Sequence, residues 1–233
     1  MTSTHAQEGV HGETPLSDAV DAALEGRRLL SHPFYQRWQA GLLTDDELAE
    51  YAVHYRAFEV ALPAVLSATV VQLRDDGEVE AESMVSRNLS DELGRPEPHL
   101  TLFDRFASSL GGTATSTVPG PAAEALVQIY LDLTEDGPAA TLAGLAAYET
   151  QASGIASTKA EGLRHQYGLD ADGTEFWDVH AAMDAEHGEW ALEALFVLGV
   201  DSADVGESAR RAADAWWAFL DERQAQAPEP ATC

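Results

Sequence analysis

Apolar residues recur at three- and four-residue intervals along most of this chain, and no stretch alternates with the period of two that a strand requires. Ser17 reads as an N-cap, and Val20, Ala23, Leu24 and Leu29 predict a helix running to Leu30. His32-Pro33 ends that segment, and Phe34, Tyr35 and Trp38 then form an aromatic anchor. Thr44 with Glu47 spells a capping box opening a long helix to about residue 73, with a kink predicted at Pro63. Within it Tyr51, Tyr55, Phe58 and Leu62 fall on one stripe, the spacing of a core face. Further helices are predicted over about 78–93, 99–110, 122–133, 138–167, 175–198 and 203–224, the last carrying Trp216, Trp217 and Leu220. Gly94, Pro96 and Pro98 break the third from the fourth, and the Gly/Thr/Ser-rich run 111–121 reads as turn and linker. The pattern is all-α, with one helical domain over 15–226 and tails at 1–14 and 227–233 that carry no periodicity and are expected to be disordered.

Composition narrows the picture. No run approaches 18 apolar residues, so no membrane span is expected, and the polar start lacks the basic and apolar regions of a signal peptide. The single cysteine, Cys233, has no internal partner, and a cytoplasmic protein is the simplest expectation. A net charge of −27 argues against nucleic acid or an anionic membrane as partner and fits either a salt-adapted or an ordinary acidic surface. Of 13 basic residues, only Lys159 is a lysine. A surface that makes no general use of lysine draws attention to the one it keeps.

The candidate chemistry centres on EFWDVHAAMDAEHGEWALEALFVL, residues 175–198. His180, Asp184 and His187 stand at i, i+4 and i+7, within about 60° of one another around a helix. Two imidazoles and a carboxylate on one stripe are a set of metal donors. Glu92 at the end of one predicted helix, His99 opening the next, and Glu149 among small apolar neighbours are the other candidates. Taken singly, His99 and Glu149 read better as ordinary hydrogen-bonded or solvent-exposed residues than as ligands. Together the three carboxylates and three imidazoles, with no thiolate, suit two iron or manganese ions better than a structural zinc. Only one Asp-x-x-His element is present, so a ferritin-like di-iron bundle fits poorly.

Four segments, SHPFYQRWQAGLLTDDELAEYAVHY, DELGRPEPH, YETQASGIASTK and FWDVHAAMDAEH, resemble the haem-oxygenase-like di-metal oxidases, in the same order over about residues 18–200. That resemblance implies a seven-helix bundle shared with the TenA thiaminases and PqqC. It also implies that Glu92, His99, Glu149, His180, Asp184 and His187 ligate a di-iron or iron–manganese centre that activates dioxygen with an external reductant. Within the superfamily the chain is most similar to the CADD-like branch, which makes 4-aminobenzoate for folate. That branch implicates two tyrosines and a lysine, here matching Tyr35, Tyr51 and Lys159. By the resemblance, Tyr35 is the ring source, Tyr51 a redox or positioning partner and Lys159 the amino donor, in an enzyme that consumes its own side chains. Relatives in this superfamily often form homodimers, which sets the same expectation here.

Three readings stand at this point. The first is a self-consuming oxidase making 4-aminobenzoate. The second is a di-iron oxidase of a free amino acid, amine or fatty acid, acting by N-oxygenation, C–C cleavage or decarboxylation. The third is a non-enzymatic helical interaction protein.

Overall fold

The computed structural model describes residues 15–94, 97–111 and 118–227; the N-terminal tail, all but the first residue of the C-terminal tail, with Cys233, and most of the Gly-rich linker lie outside them. Nine α-helices are present among the described residues, with no strand, where the resemblance implied seven. They are α1 (Leu16–Ala23), α2 (Pro33–Gln39), α3 (Asp45–Asp76), α4 (Val79–Gly94), α5 (His99–Ser109), α6 (Pro121–Asp136), α7 (Pro138–His165), α8 (Ala171–Val197) and α9 (Ser202–Ala225).

The differences from the periodicity lie near the start of the chain. α1 ends at Ala23 rather than Leu30, and Gly26, with φ of +70°, turns the chain where a side chain would be strained. Pro15 rather than Ser17 stands at its N-cap. A 3₁₀ turn at Leu29–Ser31 follows, and His32-Pro33 does more than end a helix. The His32 ring accepts the Phe34 N–H as an N-cap, Pro33 occupies the first turn, and the expected anchor becomes α2, which carries Tyr35. His32 is fully buried, and its other ring nitrogen reaches Asp221 on α9 at 3.1 Å.

The Thr44–Glu47 capping box forms as predicted, and α3 continues through Pro63 to a left-handed Gly77. By length and composition α3 passes as a membrane span, with mean hydropathy 1.3, but Tyr51, Tyr55, Phe58, Leu62 and Leu66 all face the interior. It is a core helix. α8 begins at Ala171, four residues earlier than predicted, because Asp170 accepts the Gly173 N–H at 3.2 Å.

α7 and α8 lie against one another, and Gly188 explains how closely. A Cβ there would stand 3.0–3.1 Å from the backbone of Glu149 and Thr150. The glycine thus lets α8 bring His187 and Asp184 up to Glu149 on α7. Gly162 does the same for the aromatic side, where a Cβ would meet Trp38 at 3.0 Å.

Candidate metal centre

All six predicted donors are buried. α4 contributes Glu92, α5 His99, α7 Glu149, and α8 His180, Asp184 and His187. Glu92, His99 and His180 can each offer one donor atom within 4.8 Å of the others. Glu92 Oε2 and His99 Nδ1 are 3.0 Å apart, and the His99 and His180 rings have centroids 4.5 Å apart. The remaining three form a looser group beside this triad. His187 Nδ1 lies 3.6 Å from Asp184 Oδ1, and Glu149 lies in the field of His187.

Neighbours orient these side chains. His180 Nδ1 is 2.8 Å from the Phe176 carbonyl, which assigns it the N–H and leaves Nε2 for a ligand. His187 Nε2 is 3.4 Å from Asp91 Oδ2, which by the same logic turns Nδ1 toward Asp184. Asn88 Nδ2 donates to Glu149 Oε1 at 2.8 Å. Asn88, Asp91 and Glu92 are at i, i+3 and i+4 on α4, so a single helix face supplies one donor and two orienting groups.

The electrostatics are those of a site short of positive charge. Burial, and then repulsion from Glu92 and Glu149, pushes the Asp184 carboxyl well above its usual value. Burial also raises Glu149 and drives His180 down to about 3. Burial opposes ionisation of Glu92 as well, but the His99 hydrogen bond and charge hold that carboxyl below its usual value. Glu149 Oε2 is buried with no hydrogen-bond partner. An orphan carboxylate oxygen among oxygen and imidazole donors is what a site for hard or borderline cations presents, so the donor set fits two iron or manganese ions.

A second cluster adjoins the first. Lys159 is fully buried on α7, and its Nζ donates to Tyr51 Oη at 2.6 Å. The Tyr35 and Tyr51 hydroxyls are 2.8 Å apart. Nζ also lies over five rings, from 4.0 Å at Trp177 and 4.5 Å at Tyr35 to 5.6 Å at Trp38. Burial carries the Lys159 pKa well below its usual value, against the pull of Glu59 and Asp184. Burial likewise raises Tyr35 and Tyr51, so both phenols stay protonated. Tyr55 and Tyr148, hydrogen-bonded through their hydroxyls at 2.5 Å, extend the array, and Tyr148 stacks on Trp216 at 4.4 Å.

The sequence profile of a family described as iron-containing redox enzymes matches residues 49–219. The chain belongs to this haem-oxygenase-like family of redox enzymes. Within it, the 4-aminobenzoate synthase of Nitrosomonas europaea is 36% identical over 216 residues, covering 87% of this chain and 88% of the relative. The 4-aminobenzoate synthase of Chlamydia muridarum is 32% identical over 222 residues, covering 93% and 91%. Among solved structures, a TenA homologue from Pseudomonas syringae superposes with a TM-score of 0.76 at 16% identity, covering 97% of this chain and 99% of that one. The fold expected of the family is therefore the fold observed.

Sequence reasoning missed several residues. Asn88 and Asp91 gave no signal, since neither differs in sequence from an ordinary polar helix position. Trp38 and Trp177 were readable only as core. Glu59 left a trace that went unread: it is one turn past Tyr55 and two past Tyr51, a charge set inside an apolar stripe.

Proposed function

We propose that this chain makes 4-aminobenzoate in a dioxygen-dependent oxidation that consumes its own Tyr35 and Lys159. The observation that carries the reading is Lys159. The chain's only lysine is buried, sits 4.5 Å from the Tyr35 ring, and is hydrogen-bonded to the tyrosine that touches Tyr35. A product with an amino group para to a carboxyl-bearing carbon needs a phenol ring and a nitrogen held together, and this pocket holds both. The names of the two relatives support the product, and the family supports iron-based redox chemistry.

Glu92, His99, Glu149, His180, Asp184 and His187 would hold two ions, iron with iron or with manganese. When bound, these ions supply the activation of dioxygen and, with an external reductant, the oxidising equivalents. The rest is the work of the chain. The aromatic walls exclude water from Lys159. Burial keeps its amine neutral, with a lone pair available to attack, in spite of the cation–π contacts that favour the ammonium. Tyr51 fixes the nitrogen next to Tyr35 by accepting its hydrogen bond.

The test is a single-turnover reaction of apoprotein with Fe(II), or Fe(II) and Mn(II), reductant and dioxygen. It is read by intact mass, peptide mapping and assay of 4-aminobenzoate. The expected result is product at no more than one per chain, with mass changes at residues 35 and 159. Product formed by an unmodified chain, or by Lys159→Arg, overturns the self-consuming step and moves the search to an external amine.

A further inference from the structure

A small cavity adjoins the metal donors at the end far from Lys159. Leu66 on α3, Met84 and Val85 on α4, and Leu142 and Leu145 on α7 line it, leaving room for about one small molecule. Glu149, a donor of the centre, and Asn88, which donates to it at 2.8 Å, line it too. Trp190 and Ala191 on α8 complete the walls. Among the described residues that line the cavity, Trp190 alone is half-buried and the others are buried, so its indole is the outer wall. The same ring lies 5.4 Å from that of His187. α8 sets the order of these parts. Trp177, whose ring Lys159 Nζ approaches to 4.0 Å, comes first, then His180, Asp184 and His187, then Trp190 and Ala191. Trp177 and Trp190 are 13 residues apart, about 20 Å along a helix. The donors thus lie between the lysine pocket and the cavity.

The lining decides what the cavity can hold. A buried water needs about two to four polar partners. Asn88 has committed its amide N–H to Glu149, and Glu149 is taken up by an ion when the centre is loaded. Asn88 Oδ1 is then the acceptor left to a water, one partner short. The rest of the wall is aliphatic and aromatic, which suits a small apolar molecule. Dioxygen is such a molecule, and a buried metal centre that activates it must be reached through apolar interior.

We propose that the cavity behind Trp190 is a docking site for dioxygen beside the metal centre. This rests on the metal-centre part of the function proposed above and deepens it. The gas has a place of its own next to Glu149, so it need not pass through the packed rings around Lys159.

The test uses dioxygen itself as the probe, because it is paramagnetic and speeds the relaxation of protons near it. The protein is loaded with Zn(II), a diamagnetic ion that does not reduce dioxygen, and metal analysis gives the ions per chain. Methyl NMR spectra are then compared under nitrogen and under pressurised dioxygen. The methyl groups of Leu66, Met84, Val85, Leu142 and Leu145 are expected to relax faster under dioxygen than those of Leu195 and Leu220, which are fully buried but do not line the cavity. Ala191→Leu, which puts a larger side chain into the space, should abolish that excess while Zn(II) binding is unchanged. Loaded instead with Fe(II), it should consume dioxygen more slowly than wild type. Val85→Ile serves if the leucine variant fails to fold. No excess at the cavity methyls of wild type would overturn the proposal and leave the metal centre standing. So would a water held there, seen by Overhauser contacts to the same methyls, or a filled variant that reacts at the wild-type rate. Fewer than one Zn(II) ion per chain in wild type would overturn both.

Discussion

Two neighbouring interiors of this bundle are equally dry and opposite in design. On the side of α4, α5 and α8, anionic and neutral donors crowd together with too little positive charge among them, and Glu149 keeps an unsatisfied oxygen. On the side of α2 and α3, one amine sits inside a box of rings with no ion-pair partner of its own among the described residues. The first interior is stabilised by adding cations, whereas the second is built so that its only potential cation gives up its proton. Burial supplies the energy in both cases, and the choice of neighbours decides its sign.

The largest expected effect breaks the second interior alone. Lys159→Arg should reduce 4-aminobenzoate to background, a loss of at least about a hundredfold on the scale of losing an essential group, while Co(II) binding stays at the wild-type level. Equal loss of metal in that variant would mean that the two interiors are one structural unit.

Next in size is cation removal. An ion at a hundred times its Kd adds about 2.7 kcal/mol to stability, so apoprotein should melt many degrees below the loaded form in differential scanning calorimetry. Its dependence on pH gives a sharper version. Glu59, pushed up to about 8 by burial and then by Glu92, binds a proton in the folded state that it lacks when unfolded. A raised carboxyl lowers stability as pH climbs through the unfolded and then the folded pKa. His180, at about 3, changes only below about 6.5, its unfolded value, and has no effect above that. Between pH 6.5 and 8 Glu59 alone should therefore cost the apoprotein up to about 2 kcal/mol, from the slope of one proton, and Asp184 and Glu149, also raised by burial, act in the same direction. The loaded form should lose less, because its carboxylates are ionised against metal. A flat apo profile in urea melts would contradict this.

Smaller effects test the orienting groups. Asp91→Asn and Asn88→Ala should each weaken metal binding by about tenfold to a hundredfold with product per bound metal unchanged. Gly188→Ala should cost about 1–3 kcal/mol by overpacking and shift metal affinity too, since its Cβ would push on the backbone that carries Glu149. Of these, the glycine variant is the one expected to alter the thermal melt of the apoprotein.

The extent to which all this could be read in advance varied with how local the signal was. His180, Asp184 and His187 are visible because one helix sets their spacing. The Thr44–Glu47 cap is visible for the same reason. Glu92, His99 and Glu149 come from three different helices, so spacing offered them only as candidates until the resemblance joined them into one set, and Glu92 and His99 do meet His180 of α8. Lys159 stood out by rarity rather than by position. Glu59, Asn88 and Asp91 depend on which helices face each other, and a single sequence does not state that. His32 was read as a stop signal, although its ring also caps the helix that it precedes.

That ring has a consequence in time. His32 caps the helix bearing Tyr35, yet it leans on Asp221 and on Trp217, whose ring lies 4.6 Å away, both in the last helix. The chain positions separated by that contact differ by 189. A ribosome must have delivered almost the whole polypeptide before the support for Tyr35 exists. During synthesis, the oxidisable tyrosine and the lysine on α7 therefore have no finished pocket in which to react. The closing contact is among the last that the growing chain is able to make.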